Sequence, residues 1–228
     1  MIVDSMTDQE ITKAVLSEKE YVTGCALRFR NDFKSLVLKC SHFPYIKTFE
    51  CTTPKNKTSF IVSMRAEKRG NHSNPSYSIY ALYKRYGGLH AALVENEWSN
   101  VTIFPTHFFE RYRERILKDE STPLEKVLHQ FFGRFWGYCD MWVDEEKRKQ
   151  IFDRIVPGEE VNMVGAYHEG MIFGSDKDGV SIAKTIISFD EFKKNQWPQF
   201  NMLMDGLVRL SDREFALRYL NSIASDKI

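Results

Sequence analysis

The sequence predicts an α+β fold in which helices at the N-terminus, in the middle and at the C-terminus accompany antiparallel sheet. Three observations carry this. Apolar residues recur at helical spacing before residue 41 and again after residue 105. Between 41 and 104, short runs rich in β-branched and aromatic residues are broken at close intervals by Pro, Gly and Asn. Beyond residue 160 the strand pattern returns for three runs and then gives way to a helical end.

Taken in order, Thr7-Asp8-Gln9-Glu10 has the form of a capping box and opens a short helix through Ile11, Ala14 and Val15. Ser17-Glu18-Lys19-Glu20 has the same form, and Val22, Cys25, Ala26, Phe29, Phe33, Leu36, Val37 and Cys40 follow it at helical spacing. Strands are expected near 46–52, 58–66, 76–84, 88–95 and 100–104, separated by the Thr53-Pro54-Lys55-Asn56 turn, Gly70-Asn71, Gly87-Gly88 and Asn96. Such spacing suits a meander with one face on helices. Pro105–Ile116 begins the central helix. Thr122-Pro123-Leu124-Glu125 supplies an N-cap, a proline at the first helical position and an acid two residues later. It starts a helix whose one face carries Leu124, Val127, Leu128, Phe131, Phe132 and Phe135. A further helix is expected over 144–156, stopped by Pro157-Gly158. Strands near 161–167, 171–173 and 180–187 would form a second short antiparallel sheet, turned at His168-Glu169-Gly170 and Asp176-Lys177-Asp178-Gly179. Two helices close the chain, one through Phe200, Leu203, Met204 and Leu207 and one after the Ser211-Asp212-Arg213-Glu214 box. No linker forces a domain boundary, so one α+β domain over 1–228 is expected. The pattern offers 1–104 and 105–228 as its sub-division.

With 43% hydrophobic and 28% charged residues, the composition is that of a folded globular protein rather than a disordered or fibrous one. No apolar stretch nears the roughly 20 residues of a membrane span. The N-terminal residues lack a basic segment followed by an apolar run, so no signal peptide is expected and the cytoplasm is the expected compartment. Four cysteines, Cys25, Cys40, Cys51 and Cys139, form no CxxC pair and are expected as reduced thiols. The net charge of +1 conceals a split, with 18 Lys/Arg against 12 Asp/Glu in 1–118 and 14 against 19 in 119–228. Such asymmetry marks either an anion-binding half or two halves that attract each other.

Nucleotide-binding loops, HExxH and GxSxG are absent, and no cofactor is indicated. Asp176-x-Asp178-Gly179 begins like a calcium loop but lacks its remaining ligands. His42, His72, His90, His107, His129 and His168 include no i,i+4 pair, so no metal site is read from them. Tyr77, Tyr80, Tyr83 and Tyr86 lie among Lys84, Arg85, Arg65, Lys68 and Arg69, a mixture that stacks bases in some RNA-binding sheets. Residues three apart do not share a strand face, however, so ordinary half-buried tyrosines are the simpler expectation.

The central helix carries the sharpest signal. Phe108, Phe109, Tyr112 and Ile116 fall on one side of a helical wheel, and His107, Glu110, Arg111, Glu114, Arg115 and Lys118 on the other. A histidine in the first turn, with Arg111 and Arg115 at i+4 and i+8, would set fixed cations beside a proton-transfer group at the positive end of a helix. Alternating acids and bases at i,i+3 and i,i+4 are also what any solvated helix face carries.

The pattern Thr106-His107-x-x-x-Arg111-x-x-x-Arg115 resembles a short helix in small bacterial and mobile-element proteins grouped with the barnase/RelE-like toxin ribonucleases. In that group such a helix precedes a small antiparallel sheet, here matched by strands 161–187 and Lys184-Thr185-Ile186-Ile187-Ser188. The likeness spans residues 102–190. It implies His107 and Arg111 as catalytic residues and Arg115 and Thr185 as phosphate-binding residues. Two functional expectations therefore stand side by side for a bacterial or phage-type protein. One is RNA binding, or metal-independent RNA cleavage, through the central helix. The other is a non-enzymatic interaction or structural protein that binds a protein partner or a second copy of itself.

Overall fold

The structure is a computed structural model and describes residues 2–95, 99–134, 139–142 and 161–211. The expected helices over 144–156 and after Ser211, together with the Asn96 turn, lie outside the described residues. The chain forms two compact units, Met1–Trp136 with Ser175–Thr185, and Gly137–Gly174 with Ile186–Ile228. The α+β class holds.

In the first unit, α1 (Asp8–Leu16) begins at a capping box. Glu10 N–H donates to Thr7 Oγ1 at 3.2 Å, and Glu10 Oε2 accepts from Thr7 N–H at 2.7 Å. The second expected box is not made. Ser17 closes α1 by donating its hydroxyl to the Ala14 carbonyl at 2.7 Å, and α2 (Lys19–Lys39) starts from Glu18 without a side-chain cap. Glu18 instead accepts a hydrogen bond from Asn56. With only Ser17 and Glu18 between the two helices, Ser17 serves the helix that ends rather than the one that begins.

Strands β1 (Tyr45–Thr52), β2 (Ser59–Ala66), β3 (Ser76–Arg85), β4 (Gly88–Val94) and β5 (Val101–Phe104) form the antiparallel meander. Tyr86 (φ 51°) and Gly87 (φ 75°) both take the left-handed region, as a two-residue turn matched to strand twist requires. Strand β9 (Val180–Ser188) then adds in parallel beside β5, pairing Thr102 with Ser181 and Ile103 with Ile182. Its first residues thus belong with the meander.

Helices cover both faces of this sheet, not one. On the first face, Val22, Cys25, Phe33 and Val37 of α2 and Ile11 and Val15 of α1 meet Phe60, Val62, Met64, Ala81 and Ala92. On the second lie α3 (Thr106–Tyr112) and α4 (Leu124–Arg134). There Phe104 stands 4.9 Å from Phe108 and 5.5 Å from both Phe131 and Phe132, and Tyr80 stacks on Phe132 at 4.0 Å. The sequence signal for this was in β2, where Phe60, Ile61, Val62, Ser63 and Met64 are all buried and no polar residue alternates outward. The tyrosine row is split accordingly. Tyr80 and Tyr83 are buried, whereas Tyr77 and Tyr86 are exposed at the strand's two ends. No row of stacking rings results.

The second unit contains β6 (Cys139–Trp142), β7 (Met163–Tyr167) and the start of β8 (Gly170–Lys177), paired antiparallel, and α5 (Trp197–Ser211). Val164, Ala166, Met171 and Phe173 pack with Phe200 and Leu203. No helix among the described residues is long and apolar enough to cross a membrane.

Phe131 touches Phe104, Phe108, Phe109, Tyr112 and Phe132 with no exposure of its own. Phe131→Ala should therefore cost about 3–5 kcal/mol. Urea unfolding measures this as a lower midpoint at unchanged slope, and a loss under about 1 kcal/mol would contradict the packing described.

Candidate functional site

The central helix is placed by its ends. Phe104, the last residue of β5, is buried, and Pro105 turns the chain so that Phe108 N–H bonds the Pro105 carbonyl at 3.0 Å. The Thr106 hydroxyl donates to the Leu89 carbonyl at 2.8 Å, tying the helix start to β4. That approach requires a glycine opposite, because a Cβ on Gly88 would stand 2.2 Å from Thr106 Oγ1. Phe108, Phe109 and Tyr112 are then drawn into the second-face core, which turns His107, Glu110 and Arg111 to solvent.

The α-helix lasts only seven residues, from Thr106 to Tyr112. Arg113–Leu117 continues as a wider π-turn that Lys118 ends in the left-handed region (φ 51°). This changes the polar face read from the sequence. An α-helical wheel sets His107, Arg111 and Arg115 in one row. Arg115 lies within the π-turn, and its Nη1 stands 3.4 Å from Thr185 Oγ1 of β9.

His107 and Arg111 remain together. With Glu110, Arg113, Glu114 and Glu120 they line an open depression of about 400 Å³. Arg111 Nη1 is paired with Glu114 Oε2 at 2.8 Å, both side chains about half exposed at 49% and 52%. Arg113 Nη1 donates to the Thr122 carbonyl at 3.2 Å. Below the depression, Asp119 accepts from Ser121 N–H at 3.0 Å, from the Ser121 hydroxyl at 2.5 Å and from the Thr122 hydroxyl at 2.6 Å. Those hydrogen bonds, to Ser121 first and then Thr122, hold its carboxyl down to about 2. The charges committed here are thus mixed in sign, and the resemblance-derived set divides in two. His107 and Arg111 share the depression, while Arg115 and Thr185 meet outside its walls.

Beneath the helix start lies a histidine that sequence reasoning passed over. His90 Nδ1 is 3.2 Å from the Gly88 carbonyl and 3.4 Å from Thr106 Oγ1, which assigns its proton to Nδ1. Its ring lies 5.6 Å from that of Tyr83, its cross-strand partner. The Asp8–Arg85 ion pair closes the same end of the sheet, with Arg85 also donating to the Met6 carbonyl at 2.8 Å. The Gly87 hairpin register pairs His90 with Tyr83, and that pairing was the available signal. Glu120, the wall residue beyond the helix, had none. Tyr80, on the opposite sheet face, is hydrogen-bonded to His129 Nδ1 at 3.0 Å, and burial pushes its hydroxyl up. Among the described residues no group of three or more His, Cys, Asp or Glu side chains gathers to hold a metal ion.

Burial holds the His90 imidazole below its ordinary range, with Arg85 and His107 adding to this and the Gly88 carbonyl and Asp8 opposing it. A histidine depressed in the folded state takes its proton more readily when unfolded. Its contribution is therefore complete above about pH 6.5 and is lost as pH falls through the folded value. Unfolding free energy measured across this range should drop on acidification, and His90→Gln should flatten that drop. An unchanged slope in the variant would remove His90 as its source.

Compared with protein-family models, with characterised proteins and with solved structures, the chain matches none.

Proposed function

We propose that this chain acts by binding a protein partner, which includes a second copy of itself, without catalysing a reaction, and that the His107–Arg111 depression belongs to its contact face. The charge of that depression supports the reading. Glu110, Glu114 and Glu120 stand against Arg111, Arg113 and His107. Arg111 is already paired and Arg113 already donates to a backbone carbonyl. A phosphodiester would meet carboxylates as closely as cations, so the sequence-independent attraction on which RNA binding rests is weak here. Protein partners are selected by such alternation of sign, through complementary pairs that reject a wrong surface.

A second reading, RNA binding or metal-independent RNA cleavage, has one observation in its favour. Arg115 and Thr185, 70 positions apart, come within 3.4 Å of each other. The resemblance assigns these two to the phosphate, with His107 as the proton-transfer group and Arg111 as the stabilising cation.

The two readings give opposite results with RNA. Under the first, RNA incubated with the protein in EDTA stays intact, and binding is undetectable even at low salt. Lys substitutions at Glu110, Glu114 and Glu120 move the unfolding free energy by only about 0.5 kcal/mol each. They nonetheless alter self-association in sedimentation or affinity for the partner. Cleavage in EDTA that His107→Ala abolishes, in a variant with wild-type stability, overturns the proposal in favour of the second reading.

A further inference from the structure

Helix α2 crosses β1 along a ladder of side chains on the first sheet face. Phe33 meets Tyr45 with ring centroids 5.7 Å apart, and Phe29 stacks on Phe49 at 4.9 Å and 11°. One helical turn before Phe29 stands Cys25, and two residues beyond Phe49, on the same strand face, stands Cys51. The next rung is therefore a pair of cysteines. Both belong to one core cluster and are buried, at 1% and 9% exposure. Arg28 Nη2 lies 3.1 Å from Cys25 Sγ, and Tyr21 stands one helical turn before Cys25. Arg28 and Tyr21 are themselves exposed, so the pair lies directly beneath two surface side chains, at the edge strand of the sheet.

We propose that Cys25 and Cys51 are a dithiol modification site that a hydroperoxide converts into a disulfide linking α2 to β1. The roles differ. Cys25 is the attacking sulfur, because a guanidinium hydrogen-bonded to sulfur supports its nucleophilic reaction. Burial first, and then Cys25, push the Cys51 thiol up to about 12, and the guanidinium contact lies at Cys25, which sets the order of attack. In the first step the Cys25 sulfur attacks the peroxide, the O–O bond breaks, an alcohol or water leaves and Cys25 becomes a sulfenic acid. In the second, the Cys51 sulfur attacks that sulfur, the S–O bond breaks, the S–S bond forms and water departs. Two thiols give two electrons and two protons, and one peroxide is reduced. Cys40 is set apart, with its thiol donating to the His42 carbonyl at 3.0 Å. It serves as an internal comparison.

The test treats the full chain with hydrogen peroxide at neutral pH and maps its peptides without reduction. The expected product is a single chain not covalently joined to another, lighter by two hydrogens, and yields a Cys25–Cys51 linked peptide that reductant separates. Cys51→Ser should instead hold the sulfenic acid at Cys25, where dimedone labels it, and Arg28→Ala should slow linkage by about tenfold. The proposal is overturned if Cys25 and Cys51 remain fully alkylatable after peroxide treatment and unfolding. It is equally overturned if either links to Cys40 or to another chain instead. Because the linked peptide is sought in the wild-type protein, a variant that fails to fold leaves this outcome decisive.

Discussion

The phenylalanine cluster on the second face of the meander is the constraint from which the rest of the first unit follows. Phe104, Phe108, Phe109, Phe131 and Phe132, with Tyr80 and Tyr112, are buried and meet mostly edge to face. Each such ring contributes about 1.5–3 kcal/mol by burial alone, and edge-to-face pairs add to this. The cluster joins the last residue of β5 to the two helices that follow. Helix α3 can satisfy it only by turning inward the side that carries Phe108, Phe109 and Tyr112. The exposure of His107, Glu110 and Arg111 is thus a consequence of packing on the other side of the same short helix. A polar row selected in this way is not by itself a mark of function.

Strand boundaries were readable because turn chemistry is local. Asp178-Gly179 takes the left-handed backbone its residues announce, whereas the turn expected at Gly87-Gly88 falls one residue earlier, at Tyr86-Gly87. Helices α1, α4 and α5 were readable from their apolar spacing, and α1 also from its capping box. The second layer of helices on the sheet was harder to see, since it depends on which faces of β2 and β3 find partners far away in sequence. The parallel contact between β5 and β9 was likewise out of reach, because pairing across some eighty residues leaves no local trace. Ser17 shows the opposite failure. Its local pattern fits a cap, but the adjoining end of α1 competes for the same hydroxyl and takes it.

For the candidate site, the sequence was read with one helical periodicity throughout. A wheel assumes uniform α-winding, and the π-turn at Arg113–Leu117 breaks that assumption between Arg111 and Arg115. His107 and Arg111 share the depression, while Arg115 lies at Thr185. Arg115 and Thr185, which the resemblance assigns to a phosphate, lie 3.4 Å apart. The carboxylates around His107 and Arg111 were visible in the sequence, but their sharing of one depression with Glu120 was not.

The two sheet faces place their chemistry by the same means and to different ends. On the second face, aromatic packing drives a charged row outward, where water screens it and exposed pairs contribute about 0–1 kcal/mol each. On the first face, aromatic packing draws two thiols inward as the next rung after Phe29 and Phe49, and there the environment changes them. A carboxylate–guanidinium pair at the surface can be exchanged for many others with little consequence. Two neighbouring thiols under an arginine can be replaced by no other pair with the same chemistry. Any ordinary small apolar pair would fill the same space between α2 and β1. By that comparison the less conspicuous feature of the sequence, two cysteines 26 residues apart with no motif between them, carries more specific chemistry than the charged helix beside it.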